Sequence, residues 1–101
     1  MWTDFAAALI NDGQVCLEAA DVVEALFGEG NVVVDRKLSL SGDNFAEYLL
    51  HVAGAYAYLG TGNPALPNTV VSNHNGNFDV DEDALVIGAG LYAGYALARF
   101  A

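Results

Sequence analysis

Cysteine occurs once, as Cys16, so an intrachain disulfide is impossible and a zinc site built from several thiolates is ruled out. Positive charge is nearly as scarce: Arg36, Lys37 and Arg99 stand against eight Asp and five Glu, a net of −10. A nucleic-acid binder needs a basic footprint on the phosphates, and three cations cannot supply one. Electrostatic docking on an anionic membrane fails for the same reason. The longest uncharged run that looks helical, 84–98, has 15 residues against the roughly 20 required for a bilayer span. The residues after Met1 show no basic segment followed by an apolar one, and the single thiol suits a reducing compartment, so the expectation is a cytoplasmic protein. Proline is confined to Pro64 and Pro67.

What is present is apolar material. Hydrophobic residues make up 54% of the 101 positions and charged ones 16%, which argues against disorder and for one acidic domain over 1–101 with a modest core. Residues 2–10, "WTDFAAALI", read as a short helix closed by Gly13. Residues 14–27 form a stronger one. At about 100° per residue, Val15, Ala19, Val22, Val23, Leu26 and Phe27 share one arc and Glu18, Asp21 and Glu24 another, with Gly28 as the stop. "NVVVDRKLSL", 31–40, alternates Val32, Val34, Leu38 and Leu40 against Val33, Asp35, Lys37 and Ser39, the pattern of a half-buried strand.

Asp43 then caps a helix predicted to run to about Leu59, with Phe45, Leu49, Val52, Tyr56 and Leu59 along one face. Gly60, Gly62, Pro64 and Pro67 mark a loop. Asn75-Gly76 is a two-residue hairpin signal that predicts strands at 69–74 and 77–80. The last helix is "ALVIGAGLYAGYALARF". Asp79 with Glu82 suggests a capping box for it, and Asp81 and Asp83 would occupy its first turn, where the helix dipole favours negative charge. Gly90, Gly94 and Ala98 recur every four residues and form a groove for close helix packing, against the 43–59 helix or a second copy. The expected fold is α+β: about four helices on a mostly antiparallel three-stranded sheet, in the order ααβαββα.

The chemistry-bearing residues are few. A calcium loop starting at Asp79 would need Gly at its sixth place and Glu at its twelfth, where the chain has Ala84 and Gly90. Paired catalytic carboxylates need a desolvated pocket, and Asp79, Asp81, Glu82 and Asp83 crowd a solvent-facing helix start. His51 reads as a core-edge side chain, His74 as an exposed residue beside a turn, and Cys16 as a small buried hydrophobe with no activating base nearby. There is no G-x-S-x-G, no H-E-x-x-H and no phosphate-cradling glycine loop. The expectation is a chain without metal, cofactor or enzymatic chemistry.

The charge distribution carries what remains. Residues 1–47 hold nine acids and two bases, 48–78 hold neither, and 79–101 hold four acids and one base. Concentrated negative charge attracts basic protein surfaces over distances that salt shortens. Solubility, or an acidity of the halophile kind, accounts for the same charge without a partner. "NGNFDVDEDALVIGAGLYAGYAL", 75–97, resembles the end of the ArdB/KlcA-type antirestriction family, and "AGAYAYL", 53–59, echoes its Gly-and-aromatic block without its tryptophan. The resemblance implies a non-enzymatic anti-defence protein, of antirestriction or anti-CRISPR type, that binds a basic, nucleic-acid-handling surface of a host complex. Glu18, Asp21, Glu24, Asp79, Asp81, Glu82 and Asp83 are then the expected partner-binding residues. The alternative is an oligomeric subunit that uses the Gly90, Gly94 and Ala98 seam to form a homodimer.

Overall fold

The structure is a computed structural model and describes residues 7–34 and 36–100. Contacts divide the chain into two compact units, Met1–Ala57 and Tyr58–Ala101. Among the described residues three α-helices, α1 (Gly13–Phe27), α2 (Phe45–Leu49) and α3 (Ala84–Phe100), are joined by irregular chain and one 3-10 turn, Pro67–Val70. Among the described residues there is no β-strand, so the expected α+β fold and its three-stranded sheet are corrected to a helical one.

In the first unit, α1 forms where its apolar and acidic arcs predict. Asp12 starts it: its Oδ1 accepts the Val15 N–H at 2.9 Å, an N-cap of the kind worth about 1 kcal/mol. Gly28 ends it with φ 93°, and the Asn31 amide donates to the Phe27 and Gly28 carbonyls at 2.8 and 2.9 Å. Val15, Ala19, Val22, Val23 and Phe27 are half-buried and Leu26 is exposed, so the arc is only partly covered. Of the helix expected at 2–10, residues 2–6 lie outside the described residues and 7–10 are irregular.

The helix expected over 43–59 is reduced to five residues. Asp43 does act at its start, accepting the Phe45 N–H at 2.8 Å. After Leu49 the chain turns back on itself, with His51 and Val52 N–H groups both on the Tyr48 carbonyl at 3.0 Å. Gly54 sits so close beneath that turn that a Cβ there would lie 2.9 Å from Leu49 Cδ2. A rival set of hydrogen bonds captures the backbone that the helix would have used. The Asn11 side chain accepts the Tyr56 N–H at 2.8 Å and donates to the Tyr56 carbonyl at 3.0 Å, and the Asp12 N–H reaches the Gly54 carbonyl at 2.9 Å. Glycine in a helix interior already costs about 1 kcal/mol, so these bonds decide the outcome.

The strand expected over 31–40 has no ladder partner and remains irregular, with Asp35 outside the described residues. Its apolar side chains are bare: Val34 is 80% and Leu38 99% exposed. In the second unit the hairpin strands at 69–74 and 77–80 are likewise absent. Pro67–Val70 winds into the 3-10 turn, and the Phe78 N–H closes a turn onto the Asn75 carbonyl at 2.9 Å. Gly76 and Asn77 therefore occupy the centre of that turn, one residue later than the hairpin signal implies. The left-handed residue is His74, φ 62°.

The buried hydrophobic residues among those described are Ala46 and Ala84. The chain's accessible surface is 8416 Å². A compact protein of 10.6 kDa is expected to show about 5,500 Å², and two separately packed units of half that mass about 6,600 Å² together. Much of the apolar surface encoded in the sequence is thus left uncovered.

Candidate functional site

Polar side chains come together at one place in each unit. In the first, Asp43 Oδ2 accepts the Tyr56 hydroxyl at 3.2 Å, and Tyr56 stacks in a tilted arrangement on Phe45, ring centroids 5.6 Å apart. Beside it, a depression of about 390 Å³ is lined by Ile10, Asn11, Asp12, Leu49, Val52 and Gly54 among others. The lining is largely aliphatic and backbone, and it holds no pair of groups that could exchange a proton with a substrate.

The second unit contains the tighter cluster, built by Asn63, Thr69 and Asp81. Asn63-Pro64 opens the loop as an Asx turn, the Ala65 N–H donating to Asn63 Oδ1 at 3.0 Å. Thr69 is buried, and its Oγ1 accepts the Asn63 N–H at 2.8 Å. The same hydroxyl lies 2.7 Å from the Leu66 carbonyl and 3.0 Å from that of Asn63, either of which takes its single proton. The Asn63 amide donates to Asp81 Oδ2 at 2.8 Å, while Asp81 Oδ1 accepts the Asp83 N–H at 3.1 Å and its carbonyl the Ala84 N–H at 3.0 Å. Asp81 thus ties the loop to the start of α3. The Asp79 and Asp81 N–H groups reach back to the Asn68 and Thr61 carbonyls at 3.1 and 2.9 Å. The loop that carries His74 is held between these anchors.

The predicted interaction residues are distributed as follows. Asp21 and Glu24 are exposed on α1, and Glu18 is half-buried and accepts from Gln14 Nε2 at 3.5 Å. Asp79, Glu82 and Asp83 are exposed and Asp81 is half-buried, all in the second unit, whereas the α1 acids belong to the first. The capping arrangement needs correction. Asp81 bonds the amides before α3, Asp79 accepts the adjacent Val80 N–H at 2.8 Å, and the first turn of α3 contains no acid, because the helix begins only at Ala84. Gly90 and Gly94 are half-buried and Ala98 is exposed, and the long helix proposed as their partner does not form. It is Gly88 that permits close approach in α3: a Cβ there would stand 3.0 Å from Leu59 Cδ2. Cys16 is half-buried, and His51 and His74 are both exposed. Among the described residues no group of three or more His, Cys, Asp and Glu is placed to hold a metal ion, and no helix is long and apolar enough to cross a membrane.

Sequence reasoning gave no site role to Asn63 or Thr69, placed Tyr56 only on an apolar helix face, and read His74 as an exposed residue beside a turn without its left-handed backbone. The Asn-Pro dipeptide is a local signal for the first. The others depend on partners distant in sequence.

Comparison with known proteins points to hydrolases. The chain is 35% identical over 65 residues to YhaA of Bacillus subtilis, a protein that carries an amidohydrolase name. It is 33% identical over 72 residues to each of thermostable carboxypeptidases 1 and 2 of Saccharolobus solfataricus. These matches take in 64% and 71% of this chain and only 16% and 18% of the relatives, so the chain spans less than a fifth of the proteins it resembles. No family model and no solved structure matches. The expectation of a chain without chemistry therefore meets a likeness to parts of hydrolases.

Replacing Thr69 by Val removes the acceptor of the half-buried Asn63 N–H, a loss of about 1 kcal/mol. Amide hydrogen exchange across 61–84 is expected to accelerate in Thr69→Val and to stay near wild type in Thr69→Ser. Equal exchange in all three proteins would mean that the hydroxyl does not hold the loop.

Proposed function

We propose that this chain is a portion of an amide-bond hydrolase, and that it presents the 61–84 loop region to a site completed by further polypeptide. The likeness to an amidohydrolase and to carboxypeptidases carries the reading, because those names share one reaction, cleavage of a carbon–nitrogen amide bond. The scarcity of buried apolar residues agrees with it, since a part of a larger fold need not cover itself.

Amide hydrolysis requires water to be activated at the carbonyl and a proton to reach the leaving nitrogen. Histidine is the side chain suited to such transfers near neutral pH. His74 is held in a left-handed conformation at the tip of an anchored loop, exposed, between Asn73 and Asn75. A left-handed non-glycine residue is uncommon, and strained backbone recurs at functional sites where neighbouring structure over-determines it. On this reading His74 meets the substrate or its activating group, and Asn63, Thr69 and Asp81 position the loop.

A second reading retains the acidic surfaces. Asp21 and Glu24 project from a well-formed helix into solvent, as a face that docks on a basic nuclease or effector complex would. Expressed in a restricting host, the chain would then raise the plating of unmodified phage, and the double substitution Asp21→Lys, Glu24→Lys would abolish the gain. Unchanged plating with the wild-type chain removes this reading.

For the hydrolase reading, the chain is grafted in place of the matching segment of a Saccharolobus carboxypeptidase. The graft is expected to release C-terminal residues from peptides, and both His74→Ala and His74→Gly to lower kcat/KM by roughly 100-fold or more while melting as the parent does. Glycine tolerates the backbone conformation, so its failure isolates the imidazole from the strain. A folded graft without hydrolysis, or full activity in His74→Ala, would contradict the assignment.

A further inference from the structure

Helix α3 is apolar nearly all round, and only one side of it is covered by its own unit. At 100° per residue Ala84, Gly88, Leu91 and Tyr95 share the side that is buried or half-buried. Leu85, Ala89, Tyr92, Ala96 and Phe100 share another, and all five are exposed, Tyr92 to 84% and Phe100 to 85%. No charged side chain falls within this second arc. A helix with apolar residues on every side is normally enclosed on every side.

We propose that the uncovered arc of α3 is the seat of a second polypeptide segment, the remainder of a hydrolase of the relatives' kind, and that it is not a contact between two copies of this chain. The identity of the occupant rests on the hydrolase reading. Two observations favour it. The 65 and 72 matched residues are 16% and 18% of the relatives, so each relative runs to about 400 residues, and material of that size exists to cover the arc. The exposure agrees: the excess of roughly 1,800 Å² over two compact units of this mass is spread along the whole chain, the α3 arc included, and further polypeptide would cover part of it. Self-association is disfavoured by charge. Each copy carries a net of −10, and a two-fold contact would bring two such copies together with only three cations each to offset the repulsion.

The test compares the full chain alone with the same chain grafted in place of the matching segment of the Saccharolobus carboxypeptidase, each with and without the pair Tyr92→Lys and Ala96→Lys. Alone, the chain is expected to sediment as a monomer, and the pair to leave its helicity and melting midpoint unchanged. In the graft the pair is expected to lower the midpoint by roughly 5 °C or more, because the arc is covered there. The proposal is overturned by a graft that does not fold, by an unmoved midpoint in the graft, or by a dimer of the isolated chain that the lysine pair dissolves. A folded graft that is sensitive to the pair but hydrolyses nothing upholds the docking and refutes the catalytic assignment.

Discussion

Burial of apolar surface is the constraint on which everything else in this molecule depends. The sequence is 54% hydrophobic, yet Ala46 and Ala84 are the buried hydrophobic residues among those described, and side chains such as Leu38, Tyr92 and Phe100 stand in solvent. At about 25 cal/mol per Å² the hydrophobic effect is the main force that orders a chain, and here much of it is unspent within the polypeptide itself. Order comes instead from helix hydrogen bonding and from polar side chains that each hold several backbone groups. Asn11 fixes Tyr56, Asp12 starts α1, Thr69 closes the 3-10 turn, and Asp81 joins the loop to α3.

That division of labour is why the proposed function looks to the loop of the second unit. Bonds to Asn63, Thr69 and Asp81 anchor the two ends of the loop without an enclosing core, and His74, φ 62°, lies between them. The same sparseness leaves α3 with a bare apolar arc. On the proposed hydrolase reading the two features go together, since part of a larger protein would present both an anchored polar loop and uncovered faces.

The sequence made legible what is decided locally. Helix α1 follows from its wheel, its Asp12 and Gly28 boundaries and its acidic arc, and α3 from an unbroken run of helix-compatible residues between Asp83 and the chain end. Elements that need a distant partner were not legible. Alternation at 31–40 states a preference for a strand, but a strand exists only when another pairs with it, and the candidates at 69–74 and 77–80 were taken by the Thr69 hydroxyl and the Asn75 carbonyl. The 43–59 helix was lost to Asn11, more than forty residues away from Tyr56, and to the close approach at Gly54. Acid spacing located the start of α3 within a few residues, but the hydrogen bonds fall to Asp81 and not Asp79, because Asn63 selects it.

That this chain leaves much of its apolar surface uncovered when alone is open to a direct check by urea unfolding of the monomer. The slope of unfolding free energy against urea scales with the surface that becomes exposed, and small proteins that cover themselves give about 1–3 kcal/mol per molar. The account predicts a slope below about 1, with binding of a hydrophobic dye before any urea is added. A slope in the ordinary range with no dye binding would contradict it.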